Sequence, residues 1–197
     1  MKIIGITGSK GKTSVAYMLY KYLLELNISV SIYSSLNYEV AVPNNLVLNE
    51  IIEKEKNKNI EYLILEINEE YIEKIDNNVF DIKVLTSVDR ITTNTYKDFD
   101  EYKNKLLSFF NNDNTSTINI MCYSPRIEKN KFLELVNKLD NKILFGSTYV
   151  IEKYEFDKSL FFSLIYKDNK IIEKGLDGIE FFIKYKKQTQ EKDLFIK

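Results

Sequence analysis

Over residues 1–145, short apolar runs alternate with apolar stripes at helical spacing. The run Lys2-Ile3-Ile4-Gly5-Ile6 predicts a strand, and glycines at 8 and 11 follow it at once. Val15, Met18, Leu19, Tyr22, Leu23 and Leu26 then recur at i, i+3, i+4, i+7, i+8 and i+11. That spacing predicts a helix with those six residues facing inward, stopped near Asn27. Residues 29–33 read as a second strand. A helix over 46–56, with Val47, Leu48, Ile51 and Ile52 inward, leads to a strand over 62–66. A short helix near 69–75 precedes a strand over 81–85, and a helix over 98–110 buries Tyr102, Leu106, Phe109 and Phe110. A strand over 117–121, a helix near 129–139 and a strand over 142–145 complete the series.

Strands that alternate with amphipathic helices predict an α/β fold: a P-loop-containing, mostly parallel sheet with helices on both faces. After Gly146 the rhythm changes. Short β-rich runs at 160–166, 170–173, 179–185 and 193–196 are punctuated by Asp168-Asn169 and Asp177-Gly178. They read as a small C-terminal antiparallel appendage. A chain of 197 residues supports one well-buried core, so 1–197 is expected to be a single domain. Its α/β core would run over 1–146 and its β-rich appendage over 147–197.

Composition narrows the chemistry. The hydrophobic fraction of 44%, charged fraction of 29% and net charge of -1 leave no global basic field, so neither nucleic acid nor a membrane is expected as partner. No apolar run approaches the roughly 18 residues of a membrane span. Cys122 is the single cysteine, which excludes an intramolecular disulfide and suits a reducing compartment. With a strand starting at Lys2 in place of a leader, a cytoplasmic protein is expected. Cys122 reads as an inert packed thiol, the Tyr and Phe residues as core, and Glu53, Lys54, Glu55, Lys56 and Lys58 as a solvated helix end. The histidine count is zero. Histidine general bases, nucleophile partners and metal ligands are thereby all removed from this chain.

The sharpest motif is Thr7-Gly8-Ser9-Lys10-Gly11-Lys12-Thr13-Ser14 between strand and helix. Gly8 and Gly11 allow a tight turn that brings backbone N–H groups towards phosphate oxygens. The helix beginning near Lys12 adds unpaired N–H groups and the positive end of its dipole. Lys12 would reach the β- and γ-phosphates as the catalytic residue, and the Thr13 hydroxyl would ligate magnesium. The expected ligand is ATP with Mg2+, bound by residues 7 to 14. The general pattern G-x-x-x-x-G-K-S/T is not strictly met, because its first glycine falls on Ile6.

The segment from Gly5 to Ser14 resembles the T-G-S/T-N/K-G-K-S/T-S/T loop of the Mur ligase family, which includes the peptidoglycan amino-acid-adding enzymes and folylpolyglutamate synthetase. Val42-Pro43-Asn44-Asn45-Leu46, running on to Glu66, is similar to the T-T-P…L…E stretch of its central domain. Phe80-Asp81-Ile82-Lys83-Val84-Leu85-Thr86-Ser87, followed by Asp100-Glu101-Tyr102, is similar to its F-D…T-N…E-x-Y stretch, and Leu144-Phe145-Gly146 to a strand ending in F-G. The likeness is greatest to the branch that adds the third residue of the muropeptide, the UDP-N-acetylmuramoyl-tripeptide synthetase type. It implies an ATP-dependent amide ligase acting through an acyl phosphate. It also implies that Glu66, at a strand end, joins Thr13 in holding Mg2+.

Departures qualify that implication. The family's D-H pair falls on Ile91-Thr92, and its carbamylated lysine falls on Leu106, beside Lys105. Its threonines before the proline correspond to Ala41-Val42, and the serine pair after the strand-end glutamate to Asn68-Glu69. The adenine-side Asn-Asp signal is not recognisable in residues 119–122. The family's N-terminal UDP-binding domain and C-terminal domain have no counterpart in this sequence. Three expectations follow. One is a degenerate ATP-binding regulator, pseudoenzyme or subunit. Another is a working ATP-dependent amide ligase whose missing domain comes from another chain or from residues beyond this sequence. The third is a different P-loop enzyme, such as a small-molecule kinase or a dethiobiotin-synthetase-like carboxylase.

Overall fold

The computed structural model describes residues 1–36, 42–89, 95–111 and 115–147, with strand backbone at 161–165, 172–173, 179–187 and 190–196. The chain forms two compact units, Met1–Lys142 and Ile143–Lys197. The first holds strands β1 (Lys2–Thr7), β2 (Val30–Tyr33), β3 (Tyr62–Glu66), β4 (Ile82–Leu85) and β5 (Ile118–Cys122). They lie in the order β2-β3-β1-β4-β5, and every neighbouring pair is parallel. Helices α1 (Lys12–Glu25), α2 (Asn45–Lys56) and α3 (Phe99–Ser108) connect them, with 3-10 turns at Glu69–Lys74 and Asn77–Val79, and α4 (Lys129–Asn137) follows β5. Asn44 and Asp98 cap α2 and α3, their side chains accepting from the amides of Val47 and Glu101.

Parallel registers put like-numbered residues on one face. On the even face Ile4, Ile6, Ile32, Ile64 and Val84 pack against Ala16 and Leu23 of α1. On the odd face, Gly5 lies under Phe80 and under Phe109 at the end of α3, whose rings meet edge to face. Helices therefore cover both faces, as the alternating pattern predicts. Fully buried side chains such as Leu63, Leu65 and Phe109 each contribute about 1.5–3 kcal/mol.

The helix after the loop is rotated from the orientation its apolar spacing predicts. Ala16 and Leu23 are buried, whereas Met18, Tyr22 and Leu26 are 68%, 58% and 51% exposed, and Val15 is also exposed. The apolar arc of this helix is wider than the sheet can cover. Its phase is set by Thr13, which turns towards β3; Ala16, Tyr20 and Leu23 follow Thr13 around the same side.

Two buried charges depart from the simple pattern. Glu55 is fully buried, which corrects its reading as part of a solvated helix end. Burial pushes its carboxyl up, but hydrogen bonds from Lys58, Ser31 and Tyr33 outweigh that and hold it below the usual carboxylate range. Lys83, on the odd face of β4, is also fully buried; its Nζ donates to the Phe109 carbonyl at 2.8 Å and lies over the Phe109 ring. Desolvation pulls this ammonium down to about 8, opposed by Asp76.

The second unit begins within β6 (Asn141–Ser147), which runs parallel to β7 (Phe161–Ile165). β9 (Ile179–Lys187) is antiparallel to β7, to β8 (Ile172–Glu173) and to β10 (Gln190–Ile196). The expected turns at 168–169 and 177–178 lie outside the described residues. Among the described residues no helix is long and apolar enough to cross a membrane.

A Cβ on Gly5 would fall 2.7 Å from Phe109 Cζ and 2.8 Å from two Phe80 ring atoms. Gly5→Ala is expected to lose about 1–3 kcal/mol through overpacking, read as a lower urea midpoint. Lys83 gives a pH signature. Between pH about 8 and 10.5 the folded side chain is neutral while the unfolded one still holds its proton, so stability rises with pH across that window. Urea titrations at pH 7 and 10 should show the native protein gaining on the order of 1–3 kcal/mol relative to Lys83→Met. A difference that does not change with pH would contradict the depressed ammonium.

Candidate functional site

The carboxyl ends of β1, β3 and β4 converge where the glycine loop leaves β1. Such an edge of a parallel sheet forms a ligand crevice, because the chain leaves adjacent strands in different directions. The loop is held down by the segment after β4. The Thr86 amide donates to the Thr7 carbonyl, and the Ser9 amide to the Ser87 carbonyl, at 2.9 and 3.0 Å. The Thr86 hydroxyl donates to the Lys10 carbonyl at 2.7 Å, and the Lys10 amide donates to Ser87 Oγ at 2.9 Å. Gly8, at φ 142°, approaches so closely that a Cβ would lie 2.2 Å from Thr86 Oγ1. No side chain fits there, and the conformation itself disfavours one.

Asp89 fastens the outer rim. Its carboxylate pairs with Lys10 at 2.9 Å and with Arg126 Nε at 2.7 Å. Ser9 Oγ accepts from the Asp89 amide and from the Tyr102 hydroxyl, at 2.7 and 2.8 Å. Burial pushes the Tyr102 phenol up to about 12, so it is a stable donor. A cavity of about 540 Å3 opens beside this rim, lined by residues 87–89 and 122–126. Cys122 borders it, partly buried, with its thiol pushed up to about 11 by desolvation, in keeping with an unreactive group.

The inner site is made by Lys12, Thr13 and Glu66. Gly11, at φ 82°, is the N-cap of α1 and brings no side-chain acceptor to the first-turn amides. Lys12 Nζ donates to the Gly8 carbonyl at 2.7 Å and lies 3.8 Å from Glu69 Oε2. The Thr13 hydroxyl donates to Glu66 Oε1 at 2.9 Å. Glu66 Oε2 accepts from the Ser35 amide at 3.0 Å, and the Ser35 hydroxyl lies 3.2 Å from it and 3.0 Å from Thr13 Oγ1. Glu66 is 3% exposed, with each carboxylate oxygen aimed by a named donor. Thr7 is buried with its hydroxyl unpartnered among the described residues. Ser14 is exposed on α1.

Glu69, Thr86 and Ser87, which the family likeness aligned without giving them a role, join these residues, and so do Ser35, Asp89 and Arg126. For Ser35, Asp89 and Arg126 the only sequence signal is that each follows a predicted strand.

The Mur ligase middle domain family model matches residues 6–149. The chain belongs to the Mur ligase middle-domain family. Membership sets aside an unrelated P-loop kinase or carboxylase. The UDP-N-acetylmuramoyl-L-alanyl-D-glutamate--2,6-diaminopimelate ligase of Caldanaerobacter subterraneus is 25% identical, across 100% of this chain and 39% of its own. The enzyme of that name from Clostridium tetani is 24% identical, over 78% of this chain and 32% of its own. The chain thus spans well under half the length of these relatives. A MurF ligase from Thermotoga maritima, solved with ADP, superposes with a TM-score of 0.61 at 16% identity, covering 98% of this chain and 40% of that one.

Within this Mur ligase middle domain, the positions matching the family's second metal site are differently employed. Leu106 is fully buried core, and the Lys105 ammonium pairs with Glu73. Ile91 and Thr92 lie outside the described residues, as does Ala41. Val42, aligned with a substrate-facing threonine, is 1% exposed and belongs to the core.

Asp89→Ala would break both rim ion pairs while leaving the Thr86 and Ser87 hydrogen bonds. Amide hydrogen exchange over residues 8–11 should accelerate by about tenfold, with global stability falling by under about 1 kcal/mol. Unchanged exchange would mean that Thr86 and Ser87 hold the loop alone.

Proposed function

We propose that this Mur ligase middle domain binds ATP with Mg2+ at residues 7 to 14, and that alone it is a degenerate or partial ligase. The observation behind the reading is the 2.9 Å contact of the Thr13 hydroxyl with the Glu66 carboxylate, one residue from Lys12. A hydroxyl and a carboxylate are hard oxygen donors, the set that suits Mg2+ completed by phosphate oxygens and water. The unpartnered Thr7 hydroxyl and the first-turn amides of α1, which receive no side-chain cap from Gly11, also fit a phosphate ligand. Solved neighbours include the MurF ligase with ADP and a Mycobacterium tuberculosis folylpolyglutamate synthase with ADP and AMPPCP. By kinship we extend nucleotide binding to this chain.

In this reading Lys12 exchanges its Gly8 carbonyl contact for phosphate oxygens, and the first-turn amides of α1 bind them from below. Thr13 and Glu66 would hold Mg2+, with Ser35 fixing the Glu66 rotamer. Bound Mg-ATP supplies the phosphoryl group that activates a carboxylate in the family's amide-forming reaction. Residues 1–146 act as the nucleotide-binding core and 147–197 as its appendage, in the cytoplasm.

Degeneracy is supported by a chain without histidine, by Leu106 in the core and by Lys105 held on Glu73. The intact Lys12, Thr13 and Glu66 set favours a second reading: an acid–amino-acid ligase of peptidoglycan biosynthesis, completed by a Mur-type C-terminal domain on another chain.

Calorimetry or thermal shift tests the site. Mg-ATP at about one hundred times its Kd should stabilise the protein by about 2.7 kcal/mol, and Lys12→Ala should abolish the effect. Glu66→Gln should weaken binding with Mg2+ present and not in EDTA. No Mg-ATP-dependent shift would sink the proposal. Amide formation by this chain alone would overturn its degeneracy.

A further inference from the structure

Glu69 stands where the phosphates of the proposed ligand would arrive. It opens the 3-10 turn after β3, and that turn is anchored. The Ile67 amide donates to the Ile6 carbonyl, Ile67 is fully buried, and the Tyr71 amide donates to the Asn68 carbonyl. The Glu69 side chain is only 20% exposed, with its Oε2 3.8 Å from Lys12 Nζ, itself 14% exposed. Its field reaches the same crevice from the side. Tyr96 and Tyr102 are both pushed up to about 12 by burial first, with Glu69 among the charges adding to it. Lys12 therefore has a resident anion, and Glu66 supplies a second carboxylate one side chain away through Thr13.

Lys12 would reach the β-phosphate of either nucleotide, but a triphosphate brings a further, terminal phosphoryl group and its added negative charge to the same ammonium. In this chain that terminal group competes with Glu69 for the ammonium and is repelled by the carboxylate it displaces. We infer that Glu69 is a specificity-determining residue that shifts this site from nucleoside triphosphate towards nucleoside diphosphate. The effect is larger for a triphosphate because it brings more negative charge against Glu69, 3.8 Å from Lys12 Nζ, than a diphosphate does. Mg2+ offsets the repulsion by neutralising phosphate charge, so triphosphate binding depends on the divalent ion more steeply than diphosphate binding does.

This inference rests on the loop being a nucleotide site, and one experiment separates the two. Kd values for Mg-ATP and Mg-ADP are measured by calorimetry on the native chain and on Glu69→Gln, Glu69→Ser and Glu70→Gln. Melting curves confirm that each variant is folded. Glu70 is the neighbouring carboxylate in the same turn and hydrogen-bonds Tyr71. Both Glu69 variants should tighten ATP about fivefold to tenfold and ADP by less than about twofold, the size of one partly screened charge contact. Glu70→Gln should leave the ATP/ADP ratio unchanged. Equal gains for both nucleotides, no gain, or the same ratio change in Glu70→Gln would overturn the role of Glu69 while leaving the site intact. Failure of the native chain to bind either nucleotide would overturn the site itself.

Discussion

The contact on which the rest of the site depends is the approach of the glycine loop to the end of β4. Two strand-like hydrogen bonds, from Thr86 to Thr7 and from Ser9 to Ser87, extend the parallel pairing of β1 and β4 past the last residues of both strands. That leaves no room for a side chain on Gly8. Because the loop is held there, α1 starts at a defined point with a defined rotation. Thr13 then faces Glu66 on the other neighbour of β1. A loop that drifted by one side chain's width would part Lys12, Thr13 and Glu66.

Charge is distributed by the same logic. Glu55 and Lys83 are buried on the odd face of the sheet and their charge is absorbed locally, by three hydrogen bonds in one case and by a carbonyl and a ring in the other. Groups at the carboxyl edge keep partners that a ligand can replace. Lys12 holds the Gly8 carbonyl and has the Glu69 carboxylate at 3.8 Å, and Thr13 holds Glu66. Buried pairs of the first kind are costly to break because the remaining charge is stranded, whereas contacts at an open edge exchange with water or phosphate at small cost.

Much of the strand and helix order was legible from periodicity, because parallel strands buried on both faces read as short apolar runs and their connecting helices as stripes. The rotation of α1 was not. Val15, Met18, Tyr22 and Leu26 satisfy the helical spacing as well as Ala16 and Leu23 do, and spacing cannot say which half of a wide arc meets the sheet. Glu55 was misread for a related reason: a charged residue near a helix end is normally solvated, and its partners Ser31 and Tyr33 lie more than twenty residues away.

By itself the sequence determined the alternating α/β order, the position of the glycine loop and the absence of histidine chemistry, since each is a local or compositional property. Kinship with the Mur ligase middle domain was legible too, because Gly8, Gly11, Lys12 and Thr13 fall within one short loop. Only the tertiary structure decided which residues complete the loop. Ser35, Glu69 and Asp89 follow three different strands, and only the strand order β2-β3-β1-β4-β5 brings those strand ends to one edge. The physical reason is that the glycine loop and its backbone amides are contiguous along the chain, whereas the charges around them converge across the sheet.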